Sequence, residues 1–321
     1  MSEGQLLNEN PDRFFYYNLQ FPEVEQMYKD AQMSFWTADE VDLQKDEVDW
    51  RTNLNEKEKQ FLKIALGFFA GADGIVNENL ATRFYKECQV PEVRAFYAFQ
   101  IAMEQIHSDM YARMITSLIP SHQERMELFQ LCQSKTSAIG AKANWAQRWM
   151  ADDAPFRFRV VAFACVEGIF FSSSFCAIYY FKKTNKMPGL AKANELISRD
   201  EGSHQDFACL LITLFNLLPT SADCEQALEI VREAVQVEKE FVNEALPVAM
   251  IGMNAEEMME YVECVADHLL QNMGLEECYG TSNPFPWMEL ISLQNKNNVF
   301  ESRTTEYQKS GTRSFSLTAD F

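Results

Sequence analysis

Apolar positions recur along this chain at intervals of three and four, and almost nowhere at intervals of two. That pattern predicts long helices and few strands. From Asn55, with Glu58 three residues on as a capping partner, it runs through Phe61, Ile64, Phe68, Phe69, Ala72, Val76, Leu80 and Phe84 to about Lys86. Pro91 suits a first helical turn, and the helix it opens continues to about Leu118. Further helices are expected over 22–35, as two short pieces within 121–150, and over 156–183, 188–218, 221–246 and 254–273, the last stopping at Gly274. Residues 36–43 break the pattern and read as a loop. A helix of about thirty residues is about 45 Å long, so the segments 56–86, 91–118, 156–183 and 188–218 can form one bundle. Residues 1–20 are expected to lie as an arm on a helical domain spanning 21–291. From about Ser292 apolar residues thin out among Asn, Lys, Ser and Thr, and 292–321 reads as a flexible tail. The tail closes on Phe315-Ser-Leu317-Thr-Ala-Asp-Phe321, which is either a ragged end or a short motif that docks in a partner's groove.

Polar residues that interrupt the apolar runs carry the chemistry. Glu104-Gln-Ile-His107 places a carboxylate and an imidazole three apart on one helix face, and Tyr111 follows four later on that face. Glu201-Gly-Ser-His204 repeats the frame. The chain has only four histidines, and His122 and His268 lack this setting. Each Glu-x-x-His helix is preceded by a helix with one acid inside an apolar run: Asp73 in Phe-Ala-Gly-Ala-Asp73-Gly-Ile-Val, and Glu167 in Ala-Cys-Val-Glu167-Gly-Ile-Phe. Taken singly, a buried acid is usually half of an ion pair and a buried histidine a satisfied core residue. Jointly, four carboxylates and two imidazoles on four helices make the donor set of a dinuclear iron or manganese bundle, whereas zinc more often takes sulfur or more histidine. Phe171 and Phe175, four and eight after Glu167, and Ile197, four before Glu201, supply an apolar shell that could equally be plain core. Such a shell would keep water from a reactive group beside the metals, and Tyr111 is placed to be that group. Asp200, next to Glu201, can accept a hydrogen bond from a ligand histidine.

Composition narrows the classes. At 321 residues, 47% hydrophobic and 13% aromatic, the chain can bury a large core. A net charge of −19 argues against nucleic acid or an anionic membrane as partner. No Walker-type loop and no Gly-x-Gly-x-x-Gly is present. The eight cysteines form no Cys-x-x-Cys pair, and Met1-Ser-Glu-Gly-Gln lacks the features of a signal peptide. A reducing, cytoplasmic setting is expected. The run Val160 to Phe181 is long enough to cross a membrane, but it contains Glu167 and three consecutive serines, and it is expected to be a buried bundle helix.

These motifs resemble, over nearly the whole chain, the small subunit of class I ribonucleotide reductase, closest to the eukaryotic and large-DNA-virus type. The likeness is carried by Ser34-Phe-Trp-Thr-Ala-Asp-Glu-Val-Asp-Leu43, Asp73-Gly-Ile-Val-Asn-Glu-Asn-Leu80, Glu104 to Tyr111, Val166-Glu-Gly-Ile-Phe-Phe171, Met187-Pro-Gly-Leu190, Asn194-Glu-Leu-Ile-Ser-Arg-Asp-Glu-Gly202 and Glu244-Ala-Leu-Pro247. The resemblance implies an all-α, ferritin-like bundle holding two iron ions per chain, with manganese as the other metal of this chemistry. It implies Asp73, Glu104, His107, Glu167, Glu201 and His204 as ligands and Tyr111 as the tyrosine oxidised to a stable radical, protected by Phe171, Phe175 and Ile197. Trp36 and Asp200, with His107, would link the metals to the surface, and Tyr307 in the tail would pass the oxidising equivalent on. Phe315, Leu317 and Phe321 would dock the tail on a large catalytic subunit that reduces ribonucleotides, with Thr318 tuning specificity, and the small subunit would be a homodimer. The N-terminal extension of animal members has no counterpart here, so no regulation residing there is implied. The alternatives are a ferritin-like di-iron oxidase or iron-handling protein without a reductase partner, a di-iron oxygenase, and an inactive regulatory paralogue.

Overall fold

The computed structural model describes residues 1–16, 19–134, 137–150, 154–244, 253–285 and 287–288, and every regular element among them is helical. Tyr307, Phe315, Leu317, Thr318, Phe321 and Pro247 lie outside the described residues. One compact unit spans Met1–Phe285. In chain order its helices are α1 (Glu3–Leu7), α2 (Pro22–Met33), α3 (Gln44–Thr52), α4 (Glu56–Asn79), α5 (Tyr85–Glu87), α6 (Pro91–Leu118), α7 (His122–Gln133), α8 (Ala138–Arg148), α9 (Phe156–Cys165), α10 (Ser172–Lys183), α11 (Pro188–Leu214), α12 (Ser221–Glu244) and α13 (Ala255–Asn272). Helix α4 packs along α6, and α9 along α11; α2 covers α6, while α12 closes the bundle against α8, α9 and α13.

The helix starts follow from local chemistry. Asn55 Oδ1 accepts the Lys57 and Glu58 amides at 2.9 and 3.0 Å, and Glu58 Oε2 accepts the Asn55 amide at 2.9 Å. That reciprocal cap satisfies donors a helix start otherwise leaves open. Proline opens α2, α6 and α11. Asn254 caps α13, and Gly274, at φ 79°, follows its end in the left-handed conformation that glycine adopts without a Cβ clash.

Two of the long expected helices are not continuous. Between α4 and α5, residues Leu80–Phe84 wind as a π segment, and Val166–Phe170 form a second one between α9 and α10. The expected helix over 56–86 is thus α4, a π turn and α5, and that over 156–183 is two α-helices flanking a π turn. A π turn carries one more residue than an α turn and is used mostly at functional positions. Glu167 lies inside the second one. The stretch Phe156–Lys183 is long and apolar enough to cross a membrane, yet 94% of its apolar window is buried inside the protein, as a core helix requires.

Helix α3 is an addition to the expected elements. It is polar, and its buried residue is an acid, Asp46. Asp46 Oδ2 accepts the Gly189 amide at 2.8 Å and Oδ1 the Leu190 amide at 2.7 Å, so α3 caps α11 in trans. Asp49 accepts the Met187 amide at 2.8 Å. The approach is too close for a side chain at 189: a Cβ there would stand 2.4 Å from the Asp42 carbonyl oxygen. Because α11 carries Ile197, Asp200, Glu201 and His204, this cap sets the axial position of those four residues. Removing it in Asp46→Ala leaves buried amides without an acceptor and is expected to lower the unfolding free energy by about 2–3 kcal/mol, read as a lower denaturant midpoint at unchanged slope.

Candidate metal centre

Four segments aim six ionisable side chains at one point in the bundle. Asp73 comes from α4, Glu104 and His107 from α6, Glu167 from the second π segment, and Glu201 and His204 from α11. All six are at most 4% exposed. Ligating atoms of Asp73, Glu104 and His107 lie within 4.8 Å of one another, and so do those of Glu104, Glu167, Glu201 and His204. Glu104 belongs to both groups.

The two carboxylates facing the imidazoles are arranged as bridges. Glu104 has Oε1 2.9 Å from His204 Nδ1 and Oε2 3.3 Å from His107 Nδ1. Glu201 does the same in the opposite sense, with Oε2 2.8 Å from His204 Nδ1 and Oε1 3.1 Å from His107 Nδ1. Each acid thus turns one oxygen to each histidine. Five buried donor atoms of the cluster make no hydrogen bond: Asp73 Oδ2, Glu104 Oε2, His107 Nδ1, Glu167 Oε2 and Glu201 Oε1. Leaving so many polar atoms unpaired in a dry core is unfavourable unless cations take their lone pairs. Oxygen and imidazole donors in this ratio suit iron or manganese, so the residues present fit a dinuclear metal group.

The electrostatics describe a site waiting for positive charge. Burial, reinforced by the charge of Glu104, pushes the Asp73 carboxyl well above its usual range. Burial together with Glu201 and Glu104 does the same to Glu167. Burial alone would depress the imidazoles, but Glu201 and the hydrogen bonds around His107 hold it well above its usual value, and Glu104 and Glu201 lift His204 to about 9. Burial also opposes the Glu201 charge, yet the two histidines hold its carboxyl well below the ordinary range. Protons therefore do part of the work that metal ions do when bound.

Outside the ligand set, Asp200 connects the cluster to Trp36. Asp200 Oδ2 accepts from Trp36 Nε1 at 2.7 Å and sits 3.1 Å from His107 Nε2. His107 Nε2–H pointing at Asp200 leaves its Nδ1 lone pair for the centre. The Trp36 indole stacks on the same imidazole, with ring centres 5.9 Å apart and planes 22° apart. Arg199 donates to Asp200 Oδ1 and to the Ser34 carbonyl, so one guanidinium ties the segment before Trp36 to α11.

Tyr111 is 2% exposed, one turn beyond His107 on α6. Burial first, and then the charges of Asp73, Glu201 and Glu104, push its phenol well above the usual range. Its ring stacks flat on Phe69, with centres 4.9 Å apart and planes 4° apart. Phe171 and Phe175 stand against that same Phe69 ring at 5.8 and 5.1 Å, and Ile197 is buried on α11. Phe69 was visible in the sequence only as a core position of α4. Gln100 is a second residue that sequence reasoning passed over: it is 1% exposed and donates to Glu167 Oε1 at 3.0 Å. Its signal was a polar side chain four residues before Glu104, on the ligand face. His122 and His268 are exposed, as their surroundings suggested.

A helical bundle whose core holds two carboxylate-bridged imidazoles defines a ferritin-like dinuclear metal protein. Comparison with known proteins makes this specific. The family described as "Ribonucleotide reductase, small chain" matches residues 13–284. The ribonucleoside-diphosphate reductase small chain of Nicotiana tabacum is 52% identical over 312 residues, covering 97% of this chain and 93% of that one. The corresponding protein of Trypanosoma brucei brucei is 49% identical over 328 residues, covering 99% and 96%. Among solved structures, the ribonucleotide reductase Rnr4 homodimer of Saccharomyces cerevisiae is 36% identical and superposes with a TM-score of 0.81, covering 91% of each chain. The R2 subunit from Clostridium botulinum shares the fold at 19% identity and a TM-score of 0.81, covering 89% of this chain and 93% of that one. The chain belongs to the ribonucleotide reductase small-chain family.

Metal uptake must displace the protons the cluster holds. His204, with its pKa near 9, carries a proton at pH 7 and must lose it to offer Nδ1. Metal binding at pH 7 is therefore expected to release protons, and affinity to rise with pH until about 9. The sign for stability runs the other way before metal binds: the raised His204 pKa contributes fully below its unfolded value and is lost as pH rises through about 9. Calorimetric titration with manganese(II) in buffers of different ionisation enthalpy measures the release; uptake without protons would contradict this cluster.

Proposed function

We propose that the buried cluster holds two iron ions and that Tyr111 is the residue they oxidise, which makes this chain the radical-generating subunit of its reductase. As a small chain of ribonucleoside-diphosphate reductase, the protein serves the reduction of ribonucleotides to deoxyribonucleotides together with a large subunit. The observation that carries the assignment is the place of Tyr111. Its phenol is dry, feels three of the proposed ligand carboxylates, and is stacked on Phe69 within an aromatic shell. An iron-handling protein without a reductase partner has no use for that shell or for the Trp36–Asp200–His107 chain.

In this reading Asp73, Glu104, His107, Glu167, Glu201 and His204 are the ligands. When bound, two iron ions supply oxygen activation and the oxidising equivalent that removes one electron from Tyr111. The remaining work falls to side chains. The raised phenol pKa keeps Tyr111 protonated until it is oxidised, so electron and proton leave together. Asp73 is the carboxylate whose charge weighs most on the phenol. Phe69, Phe171, Phe175 and Ile197 exclude water and reductants from the ring. Asp200, held ionised against the pull of burial by His107 and Arg199, orients His107 and Trp36 on one oxygen. Trp36 is the outward end of that path, and Tyr307 continues it toward the large subunit. The peptide carrying Phe315, Leu317 and Phe321 docks on that subunit. We assign the working form to a homodimer in the cytoplasm, in keeping with seven described cysteines that form no disulfide among them.

Electron paramagnetic resonance tests the central assignment. Apo-protein loaded anaerobically with ferrous iron and then exposed to oxygen should give a tyrosyl signal, and Tyr111→Phe should lose it while still binding iron. Iron oxidation with no radical in the unaltered protein would move the reading to an oxidase. Asp200→Asn should keep two bound metals while lowering reductase activity with the large subunit about 10- to 100-fold, the range for groups that orient metal ligands.

A further inference from the structure

The second π segment ends against a buried ion pair that no part of the metal chemistry uses. Lys142 on α8 is 2% exposed and Glu238 on α12 is fully buried. Their charged ends are 2.6 Å apart. Lys142 Nζ also donates to the Phe170 carbonyl at 2.6 Å, the last carbonyl of the π segment. The carbonyl before it, Ile169, accepts from Ser172 Oγ at 2.7 Å. Ser173, the next residue, donates its hydroxyl to the other oxygen of Glu238. Thus two consecutive carbonyls at the end of the bulge accept from side chains, and Glu238 joins Lys142 to the start of α10. At the other end, α9 is anchored by Arg159, which donates to the Ala154 carbonyl and pairs with Glu87.

A buried ammonium is expensive to keep. Burial draws Lys142 down to about 8, with Glu238 pulling the other way. The amine lies over the Phe68 and Phe241 rings at 3.9 and 3.6 Å, in a setting where an apolar side chain of equal length would pack well. Its hydrogen bond to a main-chain oxygen is the contact such a replacement could not make.

We propose that Lys142 and Glu238 are positioning residues that clamp the 166–170 segment in its π register and thereby present Glu167 to the metal site. The inference rests on the reading of Glu167 as a ligand. The geometry explains why register matters. Relaxing a π turn to an α turn shifts the chain by one residue, which swings a side chain about 100° around the axis. Glu167 would then leave Gln100, whose amide now holds its Oε1. The group of Glu104, Glu167, Glu201 and His204 would lose a member, whereas Asp73, Glu104 and His107 would be untouched.

The test is the double substitution Lys142→Met with Glu238→Met in the full chain, which removes both charges together and leaves none buried alone. Amide hydrogen exchange of residues 166–171 in the metal-free protein should accelerate at least about tenfold, with other core amides unchanged. Manganese(II) binding, counted from the free-ion resonance signal, should retain one ion per chain and weaken the other about 10- to 100-fold. Lys142→Met alone should show the same two effects with an added loss of thermal stability. A double variant with native exchange over 166–171 and native uptake of both ions would overturn the proposal. If the unaltered protein itself takes up no manganese, the metal reading fails, and the exchange measurement still decides the clamp.

Discussion

Six ionisable groups share a volume from which water is excluded, and that constraint shapes the bundle around them. Several oxygens and one ring nitrogen of these four carboxylates and two imidazoles find no hydrogen-bond partner there. The raised Asp73, Glu167, His107 and His204 and the depressed Glu201 describe one proton inventory spread over the cluster. Two divalent cations held by these residues would remove the conflict, since the unpaired oxygens and the His107 nitrogen could then serve as their donors. The fold therefore keeps strain of a useful kind: it holds the donors in place before the ions arrive, so metal affinity is not spent on ordering them.

Holding them demands more than the four ligand-bearing segments. Helix α11 is fixed along its axis by acids on α3, and Glu167 is set by a bulge rather than by a regular helix. Gly168 next to it lets Gln205 of α11 come in closely, since a Cβ would sit 2.0 Å from the Gln205 amide oxygen. These supports act through α3 and a glycine, neither of which supplies a ligand. They decide whether a bundle with the right residues also has the right distances.

The buried cluster was legible because both Glu-x-x-His pairs, and Tyr111 after the first, obey helical spacing and stand out against apolar neighbours. The fold class was legible for the same reason. The second π segment was not, because the run from Val160 to Phe181 is so largely apolar that it carries little phase from which a one-residue insertion could be read. Helix α3 was missed because its purpose is tertiary: Asp46 and Asp49 look like surface acids until α11 lies beside them. Trp36 and Asp200 are 164 residues apart in sequence and share a hydrogen bond. Only the family resemblance joined them, since no spacing rule spans that separation.

The radical assignment turns on protons as much as on metals. A phenol in this pocket cannot ionise in advance, because burial and three nearby carboxylates all favour the neutral form. Oxidation must therefore carry a proton with it, and the protein needs an acceptor close to the oxygen but no open water path. The flat stack of Phe69 on Tyr111, backed by Phe171 and Phe175, meets the second need. The same shell that slows decay of an oxidised ring also slows its use, so the oxidising equivalent needs a separate exit. The Asp200 oxygen shared by His107 and Trp36 would provide one, at the Nε2 edge of the imidazole, away from Nδ1 and the carboxylates it faces. In the proposed reading, separation of the protected store from the conducting path is what would distinguish this bundle from one that merely holds iron.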